Sequence, residues 1–142
     1  MKTQIEIKFK SDPVLLEAIR ALIGCYFHRL GMSPERAQEV VLAVDEACTN
    51  AMRHGYDHVL TAEIILQLRR DEAGVEVVVS DEGSPMPESV ILRARGKNKE
   101  VTPETVRPGG LGLKLIHHIF DEVEITTGEK RGNRVCMRLH LK

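Results

Sequence analysis

The stretch from Ser33 to Gly55 constrains this chain more than any other. Ser33-Pro34-Glu35-Arg36 opens a helix, with Ser33 as N-cap and Pro34 in the first turn, and Gly55 stops it after about His54. Val40, Val41, Val44, Ala47, Cys48 and Ala51 give that helix a wide apolar face. A face so wide has to be buried against other apolar surface. Yet Glu46 and Asn50 stand four residues apart on the same helix, and so on one side of it. Ala43, Ala47 and Ala51 repeat at the same interval beside them and keep the surface low enough for a flat ligand to approach the backbone. One helix must therefore serve the core and also present a carboxylate and a carboxamide.

The remaining pattern says what packs on it. Gln4 to Lys10 alternates Ile5, Ile7 and Phe9 with polar residues, as a half-buried strand does. Ser11-Asp12-Pro13 starts a helix whose stripe is Val14, Leu15, Ala18, Ile19, Leu22, Ile23 and Phe27, ended by Gly31. Ala62 to Arg70 and Val75 to Ser80 read as strands joined by a turn at Asp71 to Gly74. A Gly- and Pro-punctuated segment follows to Pro108, carrying Arg93, Arg95, Lys97, Lys99 and Arg107, with a short helix about Glu88 to Arg93. So long a connection inside a domain is a functional lid or is disordered. A helix from about Gly110 to Phe120 and strands at Val123 to Thr127 and Arg134 to Leu141 complete the order β-α-α-β-β-lid-α-β-β. The expectation is an α+β two-layer sandwich: one mixed, mostly antiparallel sheet with helices on one face, a single domain over 1–142 with a lid about 82–108.

Composition excludes several classes. A net charge of −1 generates no field for nucleic acid or an anionic membrane. The N-terminus has no signal-peptide core and no apolar run approaches a membrane span, which points to the cytoplasm. Cys25, Cys48 and Cys136 have no metal-ligand spacing and read as buried free thiols of a reducing compartment.

Three segments carry candidate chemistry. Glu46 is suited to accept a proton from a hydroxyl, and the Asn50 carboxamide oxygen suits Mg²⁺, which takes few protein ligands when phosphates complete its shell. Asp81-Glu82-Gly83 follows the apolar run Val77-Val78-Val79; a carboxylate there can accept from the adenine amino group, and Gly83 lets a planar base pack on the backbone. Gly109-Gly110-Leu111-Gly112 opens a helix and can cradle phosphate, though it is neither a Walker loop nor a dinucleotide fingerprint. Singly, each reads sooner as an ordinary surface pair, strand-ending turn or helix start, and it is their joint occurrence that carries weight. Asp45 beside Glu46 reads as structural or as a tuner of it, and His117 and His118 as surface or half-buried.

In this order the three segments resemble the N, G1 and G2 boxes of the Bergerat-fold ATPases, the superfamily of gyrase B, the mismatch-repair ATPases, a heat-shock chaperone and the histidine kinases. DEACTNAMRHGY and GGLGLKLIHHIFDEVEI are similar to the corresponding segments of the anti-sigma-factor serine kinases of partner-switching systems. The resemblance implies Glu46 as proton acceptor, Asn50 as Mg²⁺ ligand, Asp81 and Gly83 at adenine, Gly110 and Gly112 with Gly109 and Leu111 at the phosphates, and Arg107 as first choice for the γ-phosphate. It also implies ATP and Mg²⁺, a STAS-domain anti-anti-sigma substrate, a sigma factor as alternative partner, and a homodimer. The boxes mark nucleotide binding better than turnover, so a nucleotide-gated regulator without kinase activity is the alternative. A plain interaction domain is the third.

Overall fold

The computed structural model describes residues 1–55, 62–95 and 112–141. Strand β1 (Lys2–Lys10) leads through a single 3-10 turn (Pro13–Leu15) into α1 (Leu16–Arg29). Asp12 caps the turn, its Oδ1 accepting from the Val14 amide at 3.0 Å. Gly31, at φ +89°, turns the chain towards α2 (Pro34–Asn50), where Ser33 accepts from the Arg36 amide. Strands β2 (Glu63–Arg70) and β3 (Gly74–Asp81) form a hairpin, helix α3 (Glu88–Arg95) follows, and α4 (Gly112–Ile119) precedes the hairpin of β4 (Glu122–Thr127) and β5 (Asn133–His140).

The two-layer sandwich is present. The five strands lie in the order β1-β2-β3-β5-β4, and all four pairings are antiparallel where the sequence reading allowed a mixed sheet. β4 does run in the direction of β3, but β5 returns between them, so no parallel ladder forms.

One face of the sheet is the core. Ile64, Leu66 and Leu68 of β2, Val75, Val77 and Val79 of β3, and Val135, Met137 and Leu139 of β5 are buried at period two. Val40, Val44, Ala47 and Cys48 of α2 and Leu115, Ile116 and Ile119 of α4 complete the same cluster. Each fully buried aliphatic side chain contributes about 1.5–3 kcal/mol. The other face carries ion pairs such as Arg69 with Glu76 at 3.3 Å and Arg138 with Glu122 at 3.6 Å.

Three expectations need correction. Val14 and Ala18 are exposed and Leu16 is buried, because the 3-10 turn before α1 changes the phase of the stripe. Cys25 is exposed, since it stands two residues from both Ile23 and Phe27, on the far side of α1; Cys48 is buried and Cys136 half-buried. The helix from Pro34 does not stay α-helical to His54, but becomes a π turn at Ala51–Gly55. Such a turn takes in an extra residue and is common beside functional sites; here it directly follows Asn50.

Candidate functional site

A cavity of about 230 Å³ opens between α2, the end of β3, the chain after it, and the start of α4. Its floor is apolar: Ala47 and Ala51 from α2, Val79 from β3, Val135 from β5 and Leu113 from α4. Pro85, Met86, Pro87 and Val90 wall one side, so the described part of the expected lid borders the cavity. Asn50, Asp81, Gly112 and Asn133 add the convergent polar and backbone contacts typical of a small-molecule site. Asp81 is the one charged residue among the described lining residues.

The small side chains of Ala47 and Ala51 leave the groove along α2 open, as their spacing suggested. Asn50 projects into it one turn beyond Glu46. Glu46 does not line the cavity but rests against Gly112, the first residue of α4, which does. A Cβ built on Gly112 would lie 2.5 Å from Glu46 Oε2 and 3.6 Å from Asn50 Nδ2, so glycine lets the Glu46 carboxylate rest against α4 where a larger residue would push it aside. Oε2 of Glu46 is buried and has no hydrogen-bond partner among the described residues. Burial pushes its carboxyl above the usual range; the positive charge of Arg53 opposes this and the negative charge of Asp45 adds to it. Asp45 itself is gripped by Arg20 of α1, Nε to Oδ1 at 2.9 Å and the second guanidinium nitrogen to Oδ2 at 3.3 Å. A half-buried carboxyl with a raised pKa and one oxygen unpartnered among the described residues, beside a glycine that lines the cavity, has the properties of a proton acceptor.

Asp81 ends β3 at the opposite wall and is 8% exposed. Its Oδ1 accepts from the Gly83 amide at 2.8 Å and from Asn133 Nδ2 at 3.1 Å. Burial raises the Asp81 carboxyl, and these two donors pull it back. Gly83 is buried but does not line the cavity; its amide orients Asp81 and its carbonyl accepts from the Gly132 amide at 2.6 Å. Arg107, Gly109, Gly110 and Leu111 lie outside the described residues, as do Lys97, Lys99 and Tyr56. Asn133 escaped the sequence reading altogether. It pairs with Asp81 across β3 and β5, and only that register brings it to the site.

Among the described residues no cluster of three or more His, Cys, Asp or Glu is placed to hold a metal. The carboxamide oxygen of Asn50 fits instead an ion that a phosphate-bearing ligand brings with it. An apolar slot with one carboxylate at its end suits a purine base; an amide oxygen and a basic carboxyl on the adjoining helix suit the phosphates and the group that attacks them.

A family model described as a histidine kinase-like ATPase domain matches residues 9–139. The chain belongs to this family. Serine-protein kinase RsbW of Bacillus subtilis (strain 168) is 30% identical over 122 residues, covering 85% of this chain and 76% of that protein. RsbW of Oceanobacillus iheyensis is 31% identical over 122 residues, covering 85% and 77%. A chain of the SiaB–SiaC complex from Pseudomonas aeruginosa shares the fold, with a TM-score of 0.72 at 16% identity over 96% of this chain and 89% of that one. The histidine kinase-like ATPase described here is a protein serine kinase that uses ATP.

Proposed function

We propose that the protein is an anti-sigma factor and serine kinase, one that phosphorylates a STAS-domain anti-anti-sigma antagonist and otherwise sequesters a sigma factor. The observation that carries this reading is Oε2 of the half-buried Glu46, buried, without a hydrogen-bond partner among the described residues and abutting Gly112, which lines a cavity shared by Asn50 and Asp81. Asp81 and the apolar slot take adenine. The Asn50 oxygen holds Mg²⁺, which when bound neutralises charge on the phosphates. Gly109, Gly110, Leu111 and Gly112 hold the phosphates, and Arg107 contacts the γ-phosphate. The seryl oxygen attacks the γ-phosphorus, the bridging bond to ADP breaks, and Glu46 takes the hydroxyl proton. Single-domain organisation over 1–142, with 82–108 as ATP lid, follows from the same reading; Ser84, Pro85, Met86, Pro87 and Val90 line the cavity from the described part of that lid. The protein works in the cytoplasm as a homodimer. No helix among the described residues is long and apolar enough to cross a membrane, and β1 is an edge strand.

Purified protein, Mg-ATP and a cognate STAS-domain partner are expected to yield phosphoserine. Glu46→Ala is expected to abolish transfer and to retain nucleotide binding, seen as a thermal shift equivalent to about 2.7 kcal/mol at 100 times Kd. Transfer at the wild-type rate by Glu46→Ala refutes its role. Nucleotide binding without transfer to any STAS partner supports the non-catalytic regulator instead.

A further inference from the structure

β1 is one edge of the sheet and β4 the other. Ile5, Ile7 and Phe9 of β1 turn to the core, where Ile5 and Ile7 stay half-buried, as do Leu22 and Tyr26 of α1. Glu6 and Lys8 point to the other face, opposite Gln67 and Ile65 of β2. Glu6 Oε1 accepts from Gln67 Nε2 at 2.6 Å, and Lys8 makes no ion pair among the described residues. The register slips between Thr3 and Ile5, and the extra residue, Gln4, accepts from the Tyr26 hydroxyl at 2.6 Å. The regular part of this edge is therefore 5–10.

Two copies of an edge strand can pair antiparallel about a two-fold axis normal to the sheet. Their inner faces coincide only when the axis passes beside a residue and not between two, because side chains alternate. An axis at Glu6 opposes Glu6 to its own copy, and one at Lys8 opposes Lys8 to its own copy. An axis at Phe9 opposes Lys8 to Lys10, and one at Ile5 runs into the bulge. At Ile7 the match is different: Glu6 faces Lys8 of the second copy, Lys8 faces Glu6, and Ile5 faces Phe9 on the core side. Opposite charges facing across strands stabilise a ladder and like charges weaken it. β4 has no such solution, since its ionisable side chains, Glu122 and Glu124, are both acidic.

We propose that a second copy of this chain docks along β1, antiparallel and centred on Ile7, held by two Glu6–Lys8 pairs related by the axis. The two five-stranded sheets then become one of ten, and the half-buried Ile5 and Ile7 are covered. The two-fold closes on itself, leaving at each end a β4 edge whose carboxylates repel a like strand. This deepens the homodimer reading above and rests on it, fixing the interface and its register.

The test is sedimentation equilibrium of the full chain over a range of concentrations. Glu6→Lys sets lysine against lysine and Lys8→Glu sets glutamate against glutamate. Each is expected to weaken self-association on the order of tenfold or more at low salt. The double variant Glu6→Lys/Lys8→Glu exchanges the partners and is expected to dimerise like wild type. The two single variants, mixed, are expected to form a heterodimer tighter than either makes alone. If Glu6→Lys does not fold, Lys8→Glu decides: its self-association is expected to recover at high salt, where like charges are screened. Wild-type affinity in Lys8→Glu overturns the register. Equal dimerisation by all the variants overturns the β1 interface and leaves the homodimer standing. Growth beyond a dimer overturns the closed pairing, since it needs β1 against β4. A wild type that is monomeric at every concentration refutes the homodimer reading itself.

Discussion

Gly112→Ala separates the chemistry of this site from its stability. The new methyl would stand 2.5 Å from Glu46 Oε2 and 3.3 Å from its Cδ. An ordinary C–H···O approach is about 3.3–3.6 Å, so the Glu46 carboxyl has to withdraw by roughly 1 Å. The obstacle is the end of a flexible side chain and not backbone, so the fold yields cheaply; a glycine-to-alanine change within a helix itself stabilises by about 0.5–1 kcal/mol. The thermal midpoint of Gly112→Ala is therefore expected within a few degrees of wild type. A proton acceptor displaced by about 1 Å costs on the order of 10²-fold in rate. The assay is phosphoryl transfer to a STAS-domain substrate at saturating Mg-ATP, with circular dichroism melts in parallel. Wild-type turnover in Gly112→Ala refutes the placement of Glu46 against α4. Loss of the cooperative melt refutes the claim that only a side chain is in the way.

Glu46→Gln is expected to melt above wild type near neutral pH. A carboxyl whose folded-state pKa is raised destabilises the fold progressively as pH rises through that pKa, so the gain should vanish below the ordinary glutamate pKa of about 4.3; melts across pH check it. Arg20→Gln removes an exposed pair, costing about 0.2–1 kcal/mol in denaturant titration. It also leaves Asp45 uncompensated beside Glu46, so the acid limb of the transfer rate should move to higher pH. Gly31→Ala meets nothing within 4 Å but forces a φ of +89° on alanine, so a loss of about 1–2 kcal/mol in chemical denaturation should arise from the backbone alone.

Much of this protein can be read in local pattern because much of its order is local. The apolar period of α2 places Glu46 and Asn50 on one side whatever the helix packs against, and alternation in β1 assigns Ile5, Ile7 and Phe9 to its inner face before any partner is known. Asp81 was recognisable for the same reason, as a carboxylate closing an apolar strand. Where the local period changed, the reading slipped: the 3-10 turn before α1 turned Val14 outwards, and the π turn after Asn50 ended α2 before His54.

The sequence by itself determined the elements, the inward faces and three of the groups that meet at the cavity. Tertiary structure alone decided that β5 inserts between β3 and β4, and with it that Asn133 meets Asp81 across 52 residues of chain. It alone set α4 so close to α2 that Gly112 touches Glu46. Side-chain direction follows from backbone period within a few residues, whereas strand register and helix contact are settled by how the whole apolar surface is buried at once, which no short stretch of chain contains.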